Sequence, residues 1–152
     1  MRFDNPLRLF RDQRGASLVE LAFVMPLFLL LLFGAVDFGR AYFLANELAG
    51  AAHAGAEYGA QDPSDTTGIT AAARADAPDV PGLSVGTPSY GCECSDGTSY
   101  SANCASTPTC TYNAVYRVSV TVSATYSPLF PWPGVPSSVT LTSTAVMRSV
   151  KS

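Results

Sequence analysis

Glu20 stands alone as an acid inside an otherwise apolar segment, residues 15–36, GASLVELAFVMPLFLLLLFGAV. A carboxylate in such surroundings is costly unless a cation accompanies it, which makes an ionisable group there a functional candidate by default. The spacing supplies that cation if the chain is cut between Gly15 and Ala16. The new ammonium at Ala16 then lies four residues before Glu20, one helical turn along the same face. The pair would neutralise itself within one subunit, or Glu20 would neutralise the new amino terminus of a neighbour and set its register.

Four cysteines, Cys92, Cys94, Cys104 and Cys110, make the second chemical group. In an oxidising compartment they form two disulfides, with three pairings open in principle. Cys92 and Cys94 are too close for an easy mutual bridge, so each is expected to reach Cys104 or Cys110. The spacing C-x-C-x9-C-x5-C is not a common zinc pattern. Gly82-Leu83-Ser84-Val85-Gly86 matches the G-x-S-x-G frame of a nucleophilic serine. That elbow needs a strand before the serine, a helix after it and a later histidine. The sole histidine, His53, comes earlier, and Pro81 and Pro88 flank the motif. His53 reads as a partly exposed helix residue without ligand partners. No phosphate-binding glycine loop and no basic patch for nucleic acid is present. The expectation is a protein without catalysis, cofactor, metal or small-molecule substrate.

These groups need elements to position them. Leu21 to Val36 is an apolar run of 16 residues, and starting at Ala16 extends it to 21, about 31 Å of helix and enough to cross a bilayer. Residues 1–15 carry four arginines against two aspartates, whereas nine acids face five basic residues beyond Val36. The positive-inside bias therefore keeps the leader cytoplasmic and the remainder outside. Asp37-Phe38-Gly39-Arg40 offers a poor signal-peptidase site, so the helix is expected to stay with the mature protein. Pro26 removes one backbone donor within it and marks a kink or unwinding point. Asp37 and Arg40 read as an anchor at the membrane surface.

The helix is expected to continue to about Ala60 as a stem. Ala41, Ala45, Leu48, Ala52, Gly55 and Gly59 recur at spacings of three or four, a stripe that packs against the chain's own sheet. Residues 61–70, QDPSDTTGIT, carry turn signals. Thr70 would cap a short helix over 71–75, and little regular structure is expected from Asp79 to Thr111, save for a third strand around Leu83 to Ser89. Tyr116 to Tyr126 alternates apolar and polar residues, as does Val139 to Met147, which predicts two antiparallel strands. The intervening SPLFPWPGVPSS holds four prolines and should be a stiff extended loop. Its Trp132 would either contact another subunit or fold back with Leu129 and Phe130 over the sheet edge. The fold class is α+β, a long helix followed by a small antiparallel sheet. The divisions are a leader (1–15), a transmembrane helix (16–36), a helical stem (37–60) and a disulfide-containing head (61–152).

Glycine, four residues, glutamate and about twenty apolar residues resemble the processing site of type IV prepilins and pseudopilins. The longer stretch from Arg14 to Ala60 is similar to the TadE-like family of pseudopilins from tight-adherence (Flp) pilus systems. Leu21 stands where prepilins of the Flp class often carry an aromatic residue, which favours a TadE-like chain over a major pilin. The resemblance implies cleavage between Gly15 and Ala16 by a prepilin peptidase. It further implies other pilins, pseudopilins and the pilus assembly machinery as partners, and a pilin-like layout. The chain would sit in the cytoplasmic (inner) membrane as a single-pass protein, or at the pilus and cell surface after assembly. The alternative is a single-pass anchored extracytoplasmic binding module outside any pilus. A tether tolerates Glu20→Ala, whereas an assembly helix does not.

Overall fold

The structure of the protein is a computed structural model that describes residues 16–106 and 108–150. In chain order the elements are α1 (Ala16–Gln61), α2 (Thr66–Asp76), β1 (Ser84–Val85), β2 (Ser89–Cys94), β3 (Tyr100–Ser101), β4 (Ala114–Tyr126) and β5 (Val139–Val150). This is the α+β order expected from the sequence, with a long helix before a small antiparallel sheet. The chain divides into two compact units between Gly39 and Arg40, so α1 contributes to both.

In the first unit the helix presents apolar side chains all round. From Leu18 to Leu32 its large hydrophobic residues are 41% to 80% exposed. Leu27 to Leu32 are consecutive, and six residues at about 100° each sweep every direction around the axis. The helix is long and apolar enough to cross a membrane by length and composition.

The second unit is built on β4. β5 pairs antiparallel along its length, from Val115↔Val150 to Tyr126↔Val139. The opposite edge of β4 is shared by β2, from Ser89↔Ser119 to Cys94↔Ala114, and by β1, at Ser84↔Ser123 and Val85↔Val122. Strand alternation turns Val118, Val120, Val122 and Ala124 inward, where each is at most 3% exposed, and burying one such valine stabilises the fold by about 1.5–3 kcal/mol. They meet Leu48, Ala51, Ala52 and Ala56 of α1, Ile69 and Ala73 of α2, and Ala145 of β5.

Two glycines set the distance between helix and sheet. A Cβ on Gly59 would lie 2.7 Å from Val118 Cγ1 and 3.0 Å from Ile69 Cδ1, and one on Gly55 would lie 3.2 Å from Val120 Cγ1. The glycine pair is thus used within the subunit. The buried arc is wider than the expected stripe, taking in Ala51 and Ala56 because both β4 and α2 cover this part of α1, while Ala45 lies outside it and is exposed.

The start of α2 differs from expectation. Its cap is Asp65 rather than Thr70, with Oδ1 accepting the Gly68 backbone N–H at 2.8 Å, so the helix begins within the residues read as a turn. Gly68 belongs inside this first turn, since a side chain there would collide with Asp65 and the Tyr58 ring. The region from Asp79 to Thr111 is also more regular than expected, as it contains β1, β2 and β3.

Candidate functional site

The junction between Gly15 and Ala16 straddles the first described residue, with Gly15 outside the described set and Ala16 opening α1. Glu20 is exposed on the first turns of the helix, and Pro26 lies inside a helix that continues through it. What the first unit offers is one carboxylate near the start of an uncovered apolar rod. Its surface suits a surrounding hydrocarbon phase or other apolar helices, and suggests a single-pass membrane anchor. Asp37, 6% exposed, lies two residues before the end of the unit.

In the second unit three contacts order β4 along α1. The Arg40 guanidinium lies 5.8 Å from the centre of the Tyr126 ring, Gly55 faces Val120 and Gly59 faces Val118. Nineteen helical residues from Arg40 to Gly59 span about 29 Å, and eight strand residues from Tyr126 to Val118 span about 26 Å. Strand and helix therefore run antiparallel and in step. The β4–β5 loop sits at the Arg40 end, and the cysteines lie beyond the Gly59 end.

At that far end, the alternation of β2 sorts its residues by face. Cys92 and Cys94 share one face, fully buried, and bridge to Cys104 and Cys110 respectively. Glu93 points to the other face, where Arg148 Nη2 donates to Oε1 at 2.6 Å and Arg117 Nε lies 3.1 Å from Oε2 in an ion pair without an aligned hydrogen bond. Arg117 and Arg148 are direct cross-strand partners, a like-charge pairing that would be unfavourable alone. Glu93, its side chain 8% exposed, neutralises both and ties three strands together. Arg117 also stacks 5.5 Å from the Tyr100 ring centre. Glu93 was missed at the sequence level. The available signal was a pair of outward arginines on strands expected to be antiparallel, which calls for an acid between them.

The loop joining these elements is held by local polar bonds. Asp96 Oδ1 accepts from the Thr98 hydroxyl at 2.7 Å and from its N–H at 3.1 Å, and the hydroxyl bond foremost holds the Asp96 carboxyl below its usual range. At the α1–α2 corner the Tyr58 hydroxyl donates to Asp65 Oδ2 at 2.8 Å. That bond and the Gly68 N–H lower the Asp65 pKa, and the bond to Asp65 raises that of Tyr58.

The remaining candidates do not converge. Ser84 lies in a two-residue strand paired with Ser123, without the strand-to-helix elbow a nucleophile requires, and His53 is exposed on α1. Among the described residues no group of three or more His, Cys, Asp or Glu side chains could hold a metal. Trp132 is half-buried in the β4–β5 loop, edge-on to Phe130 with ring centres 6.4 Å apart.

Comparison with known families gives one match, to the model described as TadE-like protein, over residues 15–57. The matched stretch starts at the glycine of the candidate junction and takes in the apolar helix and most of its continuation. No curated protein and no solved structure matches the chain.

Proposed function

We propose that this chain is a non-catalytic TadE-like minor pilin or pseudopilin that takes part in assembling a Flp-type, tight-adherence pilus. The observation that carries the proposal is the family match beginning at Gly15 and running through the apolar helix. In this reading residues 1–15 are a cytoplasmic leader removed by a prepilin peptidase, and residues 16–36 cross the cytoplasmic membrane. Residues 37–60 form the stem, and residues 61–152 form an extracytoplasmic head stapled by its two disulfides. Other pilins and the assembly machinery are the partners of the helix.

The chemistry supports this reading at each step. Cleavage creates the ammonium that balances Glu20, and the all-round apolar surface suits the helix equally to lipid and to a bundle of similar helices. Pro26 removes one rung of hydrogen bonding where a helix moving between those environments needs to adapt. Disulfides suit an oxidising compartment outside the cytoplasm.

The test is the amino terminus of the membrane-extracted protein, read by intact mass and terminal peptide sequencing in cells with and without a prepilin peptidase. The expected result is a terminus at Ala16 that depends on the peptidase. A chain beginning at Met1 in both cells overturns the proposal in favour of a plain anchor.

A further inference from the structure

The bonds on one side of β4 fix which backbone groups of β5 are left open on the other. In an antiparallel ladder the N–H and C=O of one residue point the same way and those of the next residue the opposite way. The Gly86 N–H donates to the Thr121 carbonyl at 2.8 Å and the Ser95 N–H to the Asn113 carbonyl at 2.9 Å. Odd-numbered residues along β4 therefore serve β1 and β2, and even-numbered ones serve β5. The partners of those even residues, from Tyr126↔Val139 to Tyr116↔Ser149, are the odd-numbered residues of β5. Thr140, Thr142, Thr144, Val146, Arg148 and Val150 are left directing their N–H and C=O outward, where among the described residues no strand pairs with them.

Long open edges invite pairing with another chain, and proteins ordinarily blunt them with short strands, prolines, lysines or bulges. The other margin of this sheet is blunted, since β1 and β3 have two residues each. β5 is not. Its 12 residues, VTLTSTAVMRSV, include no proline or lysine, and its register with β4 is unbroken from end to end. Its one charged side chain, Arg148, is already drawn to Glu93.

We infer that the outer edge of β5 takes an extended segment of a different subunit as an added strand. The occupant is a polypeptide because only a backbone offers alternating N–H and C=O groups at the roughly 6.8 Å repeat of the outward residues. Its side chains follow from the two faces of β5. Leu141, Ala145 and Met147 belong to the core side, while Thr140, Thr142 and Thr144 are exposed on the other. A segment that alternates apolar and hydroxyl residues, without charge, fits both faces at once. A second copy of this chain fits less well. A two-fold pairing of β5 with itself is antiparallel, and residues 40–61 of α1 run in the direction of β5, both being antiparallel to β4. The stems of two such copies would run in opposite directions. In the proposed function, on which this choice of occupant rests, the helices of neighbouring subunits share one direction.

The full chain is produced in its native cells with the photoreactive residue benzoylphenylalanine in place of Val146, which is 41% exposed beside the open edge. After irradiation the adduct is digested and the attached peptide is sequenced by mass spectrometry. The expected result is an adduct with a different protein, through an uncharged, proline-free segment in which apolar and hydroxyl residues alternate. Adding Thr142→Pro, which removes an outward N–H and none of the backbone bonds to β4, should lower the yield at least about tenfold with the thermal melt of the head kept. If the proline lowers the melt, Thr142→Lys takes its place, putting a charge on the edge with the backbone intact, and the same loss is expected. An adduct joining two copies of this chain, or one through a charged or proline-rich segment, overturns the inference. A yield that neither variant moves overturns it too, because the contact then does not run through the edge. Absence of any adduct overturns it where the same sample has its amino terminus at Ala16, since the chain has then been processed and has found no strand. A terminus at Met1 instead marks failure of the proposed function, and the inference falls with it.

Discussion

The head has two long loops at opposite ends of β4, and they are held in different ways. Residues 95–113, beyond Gly59, are held by two disulfides, by the bonds of Asp96 and by Glu93 beneath them. Residues 127–138, beside Arg40, have neither disulfide nor acid and are restrained by four prolines and a turn at Gly134. Covalent closure turns the sulfurs inward and leaves a polar surface of Ser, Thr and Asn. Proline restraint needs no cross-link, and the loop it holds leaves Leu129 and Val135 about half exposed. The two loops thus differ in chemistry, one polar and cross-linked, the other proline-rich with aromatic and aliphatic side chains.

Removing the sulfur bridges breaks the comparison most directly. Each bridge is worth about 2–4 kcal/mol, so the double variant Cys92→Ser, Cys94→Ser should lose most of the stability of the head in a thermal melt followed by circular dichroism. Replacing Pro131 and Pro133 with alanine should cost only about 0.4–1 kcal/mol each, chiefly by loosening the unfolded chain. Equal effects at the two ends would mean that the loops are not held differently.

Glu93→Gln is the next step down. It leaves Arg117 and Arg148 facing each other with no counter-charge, but the Arg148 side chain is 51% exposed and partly screened by water. The expected destabilisation is about 1–3 kcal/mol, larger at low than at high salt, and an unchanged melting temperature would show that the clasp contributes nothing.

The smallest effect concerns pH. Loop 127–138 has no titratable side chain, whereas the Thr98 hydroxyl and N–H bind the charged form of Asp96 and hold its carboxyl below the usual aspartate range. A depressed carboxyl stabilises the fold above its unfolded value, and that contribution disappears as pH falls through the lower folded one. Hydrogen exchange at the Thr98 amide should therefore speed up below about pH 4 beyond its intrinsic trend, while Trp132 and Val135 amides show no such change. Asp96→Asn should abolish the difference.

Much of this was legible in the sequence because the signals were local and periodic. The helix from Ala16 onward and the alternation in β4 and β5 are repeats within one element, as was the glycine pair that brings α1 against β4. The missed features depended on distant partners or on side chains with two uses. β2 reads SYGCEC, where cysteines fill the inward positions usually taken by valine or isoleucine, so no alternation of ordinary apolar residues announced it. Glu93 gains its meaning from Arg148, 55 residues away. Asp65 and Gly68 looked like turn residues because capping and turning use the same side-chain chemistry.

The pairing of Cys94 with Cys110 has a mechanical meaning. Tension drawn along the backbone crosses from one sulfur to the other and bypasses the 16-residue separation between them, roughly 55 Å of extended chain. Because the Cys92–Cys104 bridge interleaves with it, cutting either one alone still leaves a closed ring. The cysteine-bridged end of the head therefore cannot pay out slack, and a load reaching it is borne by covalent bonds.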